Sequence, residues 1–98
     1  MTNKKSNNKE QAKQASVAFT DNGWEDYQYW QKEDAKQCAK INDLIDACVA
    51  DPFKGIGKPE PLKGNLTGLW SRRIDREHRL VYAAESGVVY VVACRYHY

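Results

Sequence analysis

The middle of the chain carries the clearest repeating pattern of apolar residues. Between Asp34 and Asp51 these residues recur every three or four positions, the spacing that places side chains on one face of an α-helix. This apolar face consists of Cys38, Ile41, Leu44, Ile45, Cys48 and Val49. The pair Asp51-Pro52 predicts the end of the helix, because proline disfavours the helical conformation in the residue before it.

A shorter helix is predicted upstream of this one. Asp21 and Asn22 offer an N-cap, and Trp24, Tyr27 and Trp30 follow at a spacing of three residues. We expect these three aromatic side chains to belong to the hydrophobic core.

Strand-like segments lie on both sides of the helices. The apolar run 17–20 precedes them, and the runs 69–74, 79–84 and 88–96 follow a loop at 53–68 that is rich in glycine and proline. The element order is therefore β-α-α-β-β-β. We expect an α+β domain with a mainly antiparallel sheet and the two N-terminal helices packed on one face.

The turn between the last two strands decides which side chains share a face of the sheet. A three-residue loop at 85–87 ending in glycine is expected, which would pair Ala84 with Val88. A two-residue loop would instead place Arg79 and His97 on opposite faces, because side chains alternate along a strand. In the expected register the residues sharing one face are Arg79, Ala93, Arg95 and His97.

Length and composition limit the possible classes of protein. A chain of 98 residues supports one domain with a single core. The three cysteines, Cys38, Cys48 and Cys94, lack C-x-x-C spacing, so we expect small buried hydrophobes and neither disulfides nor a zinc site. Because neither a membrane-spanning run nor a signal peptide is evident, a cytoplasmic protein without a membrane partner is expected.

Charge is distributed unevenly along the chain. Residues 1–16 carry four lysines and one glutamate with little to bury, which predicts a disordered or fraying extension before a single domain at 17–98. Residues 17–51 carry three lysines against eight acids, whereas residues 52–98 carry eight basic residues against four acids. A basic C-terminal half is typical of proteins that bind phosphates.

Several residues of this basic half suit metal-independent cleavage of RNA. Pro59 and Pro61 flank Glu60, and each proline should hold the residue before it, Lys58 and Glu60 respectively, in an extended conformation. Arg79 could stabilise charge on the phosphate, and His97 beside Tyr98 could protonate the leaving oxygen. Because the nucleophile would be the ribose 2′-OH, such an enzyme would cut RNA, spare DNA and need no cofactor.

Other candidate motifs carry less weight. The segment 55–58 lacks the Ser or Thr of a nucleotide-binding P-loop. Arg72 and Arg73 should point to opposite faces of their strand, so both cannot serve one ligand in the same way. His78 is expected to be a solvated or core-satisfied histidine.

Long segments of the sequence resemble the YoeB (Txe) toxins of the RelE superfamily, the toxin halves of bacterial toxin-antitoxin pairs. The matching segments are "WEDYQYWQ", "KINDLI", "PFKGIGKPEPLKGNLTGLWSRRIDREHRLVY" and "ACRYHY". The resemblance implies a RelE-like fold and a ribosome-dependent endoribonuclease that cuts the mRNA codon in the ribosomal A site.

The same resemblance implies a role for individual residues. Glu60 looks like the general base, Arg79 the residue that stabilises the transition state, and His97 the general acid, with Tyr98 positioning the substrate. Two further residues are implied as phosphate contacts: Arg73 and Lys63.

The resemblance also implies a homodimer, and neutralisation by an antitoxin of the YefM/Axe type. Two alternatives remain open. One is a noncatalytic toxin, because a sister branch of the superfamily poisons DNA gyrase without cutting RNA. The other is a basic module that binds RNA or the ribosome through phosphates, with strongly salt-dependent affinity and no cleavage.

Overall fold

The computed structural model describes residues 16–96. Its elements, in chain order, are β1 (Val17–Phe19), α1 (Asp21–Glu33), α2 (Ala35–Ala50), β2 (Glu60–Pro61), β3 (Trp70–Arg73), β4 (Arg79–Glu85) and β5 (Val88–Ala93). The expected α+β class is confirmed. One strand was not expected, since the two-residue β2 forms inside the segment predicted as a loop by pairing with β3. Within the described part of the chain, no helix has the length and apolarity needed to cross a bilayer.

The five strands form one mixed sheet in the order β1-β5-β4-β3-β2. Only the pair β1 and β5 is parallel, and the other neighbours are antiparallel. Both helices pack on one face, which we call the helix face, and its buried strand residues include Leu80, Tyr82, Val89 and Val91. The opposite face, which we call the distal face, carries Glu60, Ser71, Arg73, Arg79 and Val81.

Helix α1 begins one residue earlier than expected. Its N-cap is Thr20, whose Oγ1 accepts a hydrogen bond from the Gly23 N–H at 3.0 Å, so neither Asp21 nor Asn22 is the cap. Gly23 permits close packing, because a Cβ there would lie 2.2 Å from the Val91 carbonyl oxygen of β5.

The aromatic residues of α1 are only partly in the core. Trp30 is buried and Tyr27 packs against the core at its edge. Trp24, in contrast, is 44% exposed; it packs edge-on against Phe19 and stacks on Tyr27, so the expectation of a core position was wrong for this residue.

Helix α2 follows the predicted pattern. Asp34 caps it by accepting a hydrogen bond from the Gln37 N–H at 3.0 Å, and five of its six apolar positions are buried. Val49, near the C-terminal end, is the exception at 39% exposure, since it lines the rim of a surface groove beside Phe53.

The three cysteines are buried free thiols, as expected. Burial raises the pKa of Cys48 to about 11 and that of Cys94 to about 12, so both remain uncharged at neutral pH. They act as small apolar side chains in the core.

The turn between β4 and β5 differs from the expected three-residue loop. Glu85 pairs directly with Val88, which leaves a two-residue loop of Ser86 and Gly87. Both residues have positive φ, 53° and 80°, as a type I′ turn requires. The predicted pairing of Ala84 with Val88 is therefore wrong, and Ala84 pairs with Val89.

An irregularity further along the hairpin offsets this shift. Tyr82 pairs with Val91 but Val81 pairs with Ala93, so one extra residue, Val92, is inserted in β5 as a β-bulge. The bulge returns Ala93 to the same face as Val81, and hence to the face of Arg79. Arg79 and Ala93 therefore share one face of the sheet as expected, although the register from which this was predicted is wrong.

Arg95 does not follow the expected alternation. Strand β5 ends at Ala93, so the predicted strand to residue 96 is too long. The Arg95 guanidinium lies 3.5 Å from the ring centre of Tyr29 on α1, a cation–π contact that turns it away from the distal face. His97 lies outside the described residues.

Candidate active site

Glu60 is presented by the short strand β2. Its Cα pairs with that of Ser71, and its side chain is exposed. The extended conformation expected for Glu60 is confirmed by this pairing. Lys58 is not extended: its φ is +52°, because the loop turns sharply where the Arg73 N–H donates to the Gly57 carbonyl at 2.6 Å.

The carboxylate of Glu60 forms an ion pair with Arg79, the first residue of β4. Arg79 Nη1 donates to Glu60 Oε1 at 3.1 Å, and the Glu60 side chain is 58% exposed against 26% for Arg79. The fold thus joins two predicted site residues that lie 19 positions apart in sequence. Below them is a small cleft of about 80 Å³, which is also lined by Leu62, Ser71 and Val81.

Arg73 extends the positive charge of this site. It is exposed at the end of β3, and its Cα is directly opposite that of Arg79. Side chains paired in this way point to the same face of a sheet, so both guanidinium groups project from the distal face. The prediction that Arg72 and Arg73 point to opposite faces is confirmed, because Arg72 is completely buried.

Ser71 is a polar residue in the floor of the cleft that the sequence analysis did not single out. It is 1% exposed, and within residues 16–96 its hydroxyl has no hydrogen-bond partner. Its position was predictable in principle, since it lies two residues before Arg73 on the same strand and so on the same face.

Arg72 supports the site from the helix face. Its guanidinium donates to the carbonyl oxygens of Asp51 (2.5 Å), Lys54 (2.9 Å) and Ile56 (2.9 Å), and to the Tyr82 hydroxyl (3.1 Å). These bonds fix the loop that leads to β2. Burial raises the pKa of Tyr82 to about 12, although the hydrogen bond from Arg72 opposes that rise.

His78 is buried and bonded, which corresponds to the core-satisfied expectation. Its ring packs edge-on against Trp30, with ring centres 4.9 Å apart, and its Nδ1 accepts a hydrogen bond from the Tyr96 N–H at 2.7 Å. Asp75 holds the preceding turn, because its Oδ1 accepts from the N–H groups of Glu77 and His78. Although partial burial acts to raise the pKa of Asp75, these bonds and one from Gln37 hold it below the usual value.

The remaining predicted site residues are less constrained. Lys63 is exposed at the start of the 3₁₀ turn Gly64–Leu66, three residues beyond Glu60. His97 and Tyr98 lie outside the described residues. In the range 16–96, no three His, Cys, Asp or Glu side chains are grouped so that they could hold a metal ion.

Comparison with known proteins places this geometry in a family. The family described as the YoeB-like toxin of bacterial type II toxin-antitoxin systems matches residues 19–98. Toxin YoeB of Streptomyces coelicolor is 55% identical over 82 residues, which span 84% of this chain and 98% of the relative. Toxin YoeB of Escherichia coli K12 is 54% identical over the same shares.

Solved structures agree with this assignment. A YoeB/ParE toxin from Agrobacterium tumefaciens superposes with a TM-score of 0.80 at 51% identity, covering 84% of this chain and 98% of the other. The YoeB–YefM complex from Staphylococcus aureus gives a TM-score of 0.79 at 44% identity, covering 84% and 95%. YafQ from E. coli, at 15% identity and a TM-score of 0.67 over 83% and 91%, shares the fold alone. The chain therefore belongs to the YoeB-like toxin family.

Proposed function

We propose that this toxin is a ribosome-dependent endoribonuclease that cuts mRNA in the ribosomal A site without a metal ion. The observation that carries the proposal is the ion pair of Glu60 and Arg79 on the distal face, beside the exposed Arg73. A carboxylate next to guanidinium groups supplies a base and a phosphate ligand at one place. Membership of a toxin family favours a site that acts on a cellular target over a purely structural ion pair.

The reaction begins at the ribose 2′-OH. Glu60 takes the proton of this hydroxyl, and the 2′ oxygen attacks the neighbouring phosphorus. Arg79 keeps several N–H donors besides the one used by Glu60, and these stabilise the additional negative charge on the phosphorane-like transition state. The phosphate thereby competes with Glu60 for the guanidinium and releases the carboxylate to act as the base.

The bond to the 5′ oxygen then breaks. His97 donates a proton to this leaving oxygen, and the products are a 2′,3′-cyclic phosphate and a free 5′-hydroxyl. We assign Tyr98 to positioning the substrate, and Arg73 and Lys63 to contacts with phosphates. Each of these three assignments is a proposal from family resemblance, and Arg73 has the additional support of its position opposite Arg79.

The proposal is tested by mapping the ends of a defined mRNA after incubation with the protein, with and without programmed ribosomes. Wild type should cut in the A-site codon only when programmed ribosomes are present. His97→Ala should abolish the cut, and a 2′-deoxy nucleotide at the cleaved position should prevent it. An mRNA left intact by folded, ribosome-bound wild type would instead favour a noncatalytic toxin.

We further propose a YefM-type antitoxin as the cognate partner and a homodimer as the state without it. The S. aureus relatives were solved as a YoeB–YefM complex, a heterotetramer of the two proteins and a YoeB dimer. Sedimentation of the purified toxin with and without a co-expressed antitoxin tests both assignments. Because the proposed target is the translating ribosome, we assign the protein to the cytoplasm.

We also propose residues 17–98 as the toxin domain and residues 1–16 as an extension to it. The boundary is close to the first strand, although the Ser16 carbonyl already accepts a hydrogen bond from the Val89 N–H at 2.7 Å. Deleting residues 1–15 should leave the melting temperature and ribosome-dependent cleavage close to those of the full chain. A large loss of either would make the extension part of the domain.

A further inference from the structure

The chain beyond β5 is held by side chains from α1. The Cys94 N–H donates to Asp26 Oδ2 at 3.0 Å, and Trp30 Nε1 donates to the Cys94 carbonyl at 2.8 Å. Both polar backbone groups of the first residue after the strand are therefore bonded. The backbone is thus held at the point where it leaves the sheet.

Two residues further on, Tyr96 is held by two consecutive residues, His78 and Arg79, the second of which begins β4. Its N–H donates to His78 Nδ1 at 2.7 Å, and its carbonyl accepts from the Arg79 N–H at 2.8 Å. The Tyr96 ring itself is 57% exposed, so burial of its side chain does not fix the residue. Its φ of +64° is unfavourable for a residue with a Cβ and persists only where surrounding bonds impose it.

His78 is itself oriented from two sides. The edge-on contact with Trp30 fixes the plane of the ring, and the bond from its own N–H to Asp75 fixes the backbone. Nδ1 can accept a hydrogen bond only when it carries no proton, so the ring proton is on Nε2, which lies 3.7 Å from the Glu77 carboxylate. His78 therefore contributes a specific hydrogen-bond acceptor, Nδ1, in addition to the packing of its ring.

We propose that His78 is a positioning residue for RNA cleavage: it fixes the backbone of Tyr96, the residue that precedes the proposed general acid, His97, in the chain. This inference rests on the proposed function. Residue 97 follows Tyr96 directly, with a Cα separation of about 3.8 Å. A displacement of the Tyr96 backbone would therefore displace the next residue by a similar distance. Residues 78 and 79 thus have two roles: Arg79 supplies the guanidinium that pairs with Glu60, and both residues bond the backbone of Tyr96, next to the proposed general acid.

The test compares variants that keep or remove the accepting atom. His78→Asn retains an oxygen acceptor near the place of Nδ1, whereas His78→Leu fills similar space without one. Both lose the ring contact with Trp30, so a structural role alone would affect both variants alike. Single-turnover cleavage on programmed ribosomes should remain close to wild type for His78→Asn and fall about 100-fold for His78→Leu, with unchanged ribosome affinity, because misplacement of a reacting group lowers the rate rather than the binding.

A second measurement tests the hydrogen bond between the Tyr96 N–H and His78 Nδ1 independently of activity. Hydrogen exchange of the Tyr96 amide, followed by NMR, should be slow in wild type and in His78→Asn and fast in His78→Leu. If His78→Leu does not fold at the assay temperature, His78→Phe replaces it, since it keeps a flat ring against Trp30 and has no acceptor.

Equal cleavage by the Asn and Leu variants would overturn the positioning role while leaving the proposed function intact. Slow exchange of the Tyr96 amide in His78→Leu would overturn the anchor itself. If wild type does not cleave mRNA although its Tyr96 amide is protected, the proposed function fails and the positioning role falls with it. That result is distinguishable from the other two because it appears in the unmodified protein.

Discussion

Arg72 and Arg73 are neighbours on one strand, yet they serve the two faces of the sheet in different ways. On the helix face, Arg72 is fully buried and all its contacts are within the protein. On the distal face, Arg73 is exposed opposite Arg79. The alternation of a β-strand thus separates a structural cation from a proposed substrate-binding one within two residues, so the chemistry of a residue type alone does not reveal its role.

Replacing Arg72 should have the largest effect on stability. Arg72→Met should lower the free energy of unfolding by about 3 kcal/mol or more, because it leaves three carbonyl groups and the Tyr82 hydroxyl without their donor. Urea unfolding followed by fluorescence measures this change. Arg72→Lys should recover only part of it, because an ammonium group cannot reproduce the fan of bonds made by a guanidinium. Stability close to wild type in the Met variant would contradict the contrast between the faces.

Replacing Arg73 should have the opposite profile. Arg73→Gln should change stability by less than about 0.5 kcal/mol, since the side chain is exposed. Its ribosome-dependent cleavage should fall about 10-fold, the effect expected from one lost phosphate contact. Arg76→Gln is the matched control, because it removes an exposed arginine three residues away. If both variants cleave equally well, Arg73 contributes only general positive charge.

Asp75 should make a pH-dependent contribution at the turn that leads into β4. Its folded pKa is depressed, so its ionised form stabilises the fold above the unfolded value of 3.8, and this stabilisation disappears as the pH falls through the folded pKa. Asp75→Asn should therefore cost about 0.5–1 kcal/mol near neutral pH. The difference from wild type should shrink in acid unfolding curves at progressively lower pH. A difference that stays constant with pH would mean that the charge of Asp75 is not involved.

Replacing Ser71 should change stability in the unusual direction. Removing a buried hydroxyl without a partner relieves a desolvation cost, so Ser71→Ala should leave the free energy of unfolding unchanged or raise it by up to about 1 kcal/mol. Thr67→Ala is the control, because the Thr67 hydroxyl donates to the Gly64 carbonyl at 2.7 Å and its removal should be destabilising. A larger loss in Ser71→Ala than in Thr67→Ala would show that the Ser71 hydroxyl has a stabilising partner.

The two faces also differ in how well the sequence predicts them. On the helix face, periodicity identified α2, and five of the six apolar positions are buried as expected. Local rules suffice there because one helix face must cover one side of the sheet. On the distal face the placement of Glu60 depends on β2, a strand of two residues that exists only by pairing with β3. No local signal in a loop rich in proline and glycine predicts such a strand.

The hairpin of β4 and β5 shows how a wrong register can lead to a correct grouping. The loop was predicted to be one residue longer than the observed Ser86-Gly87 turn, which shifts the register by one residue. The bulge at Val92 compensates for this shift and returns Ala93 to the expected face. Bulges depend on tertiary packing and leave little trace in a single sequence. The role of Nδ1 of His78 was equally inaccessible, since the residue that it binds lies 18 positions further along the chain.

We propose that Glu60 and Arg79, paired on the distal face, act together in the cleavage of RNA. The most direct test is single-turnover cleavage of ribosome-bound mRNA by Glu60→Gln and Arg79→Ala, with stability and ribosome affinity measured on the same preparations. Glu85→Gln, an exposed carboxylate at the other end of β4, is the control. We expect each site variant to be slower by about 100-fold or more with fold and binding retained, because each removes one function needed in the transition state. Cleavage by both variants at the rate of the Glu85→Gln control would show that the ion pair has no role in cleavage.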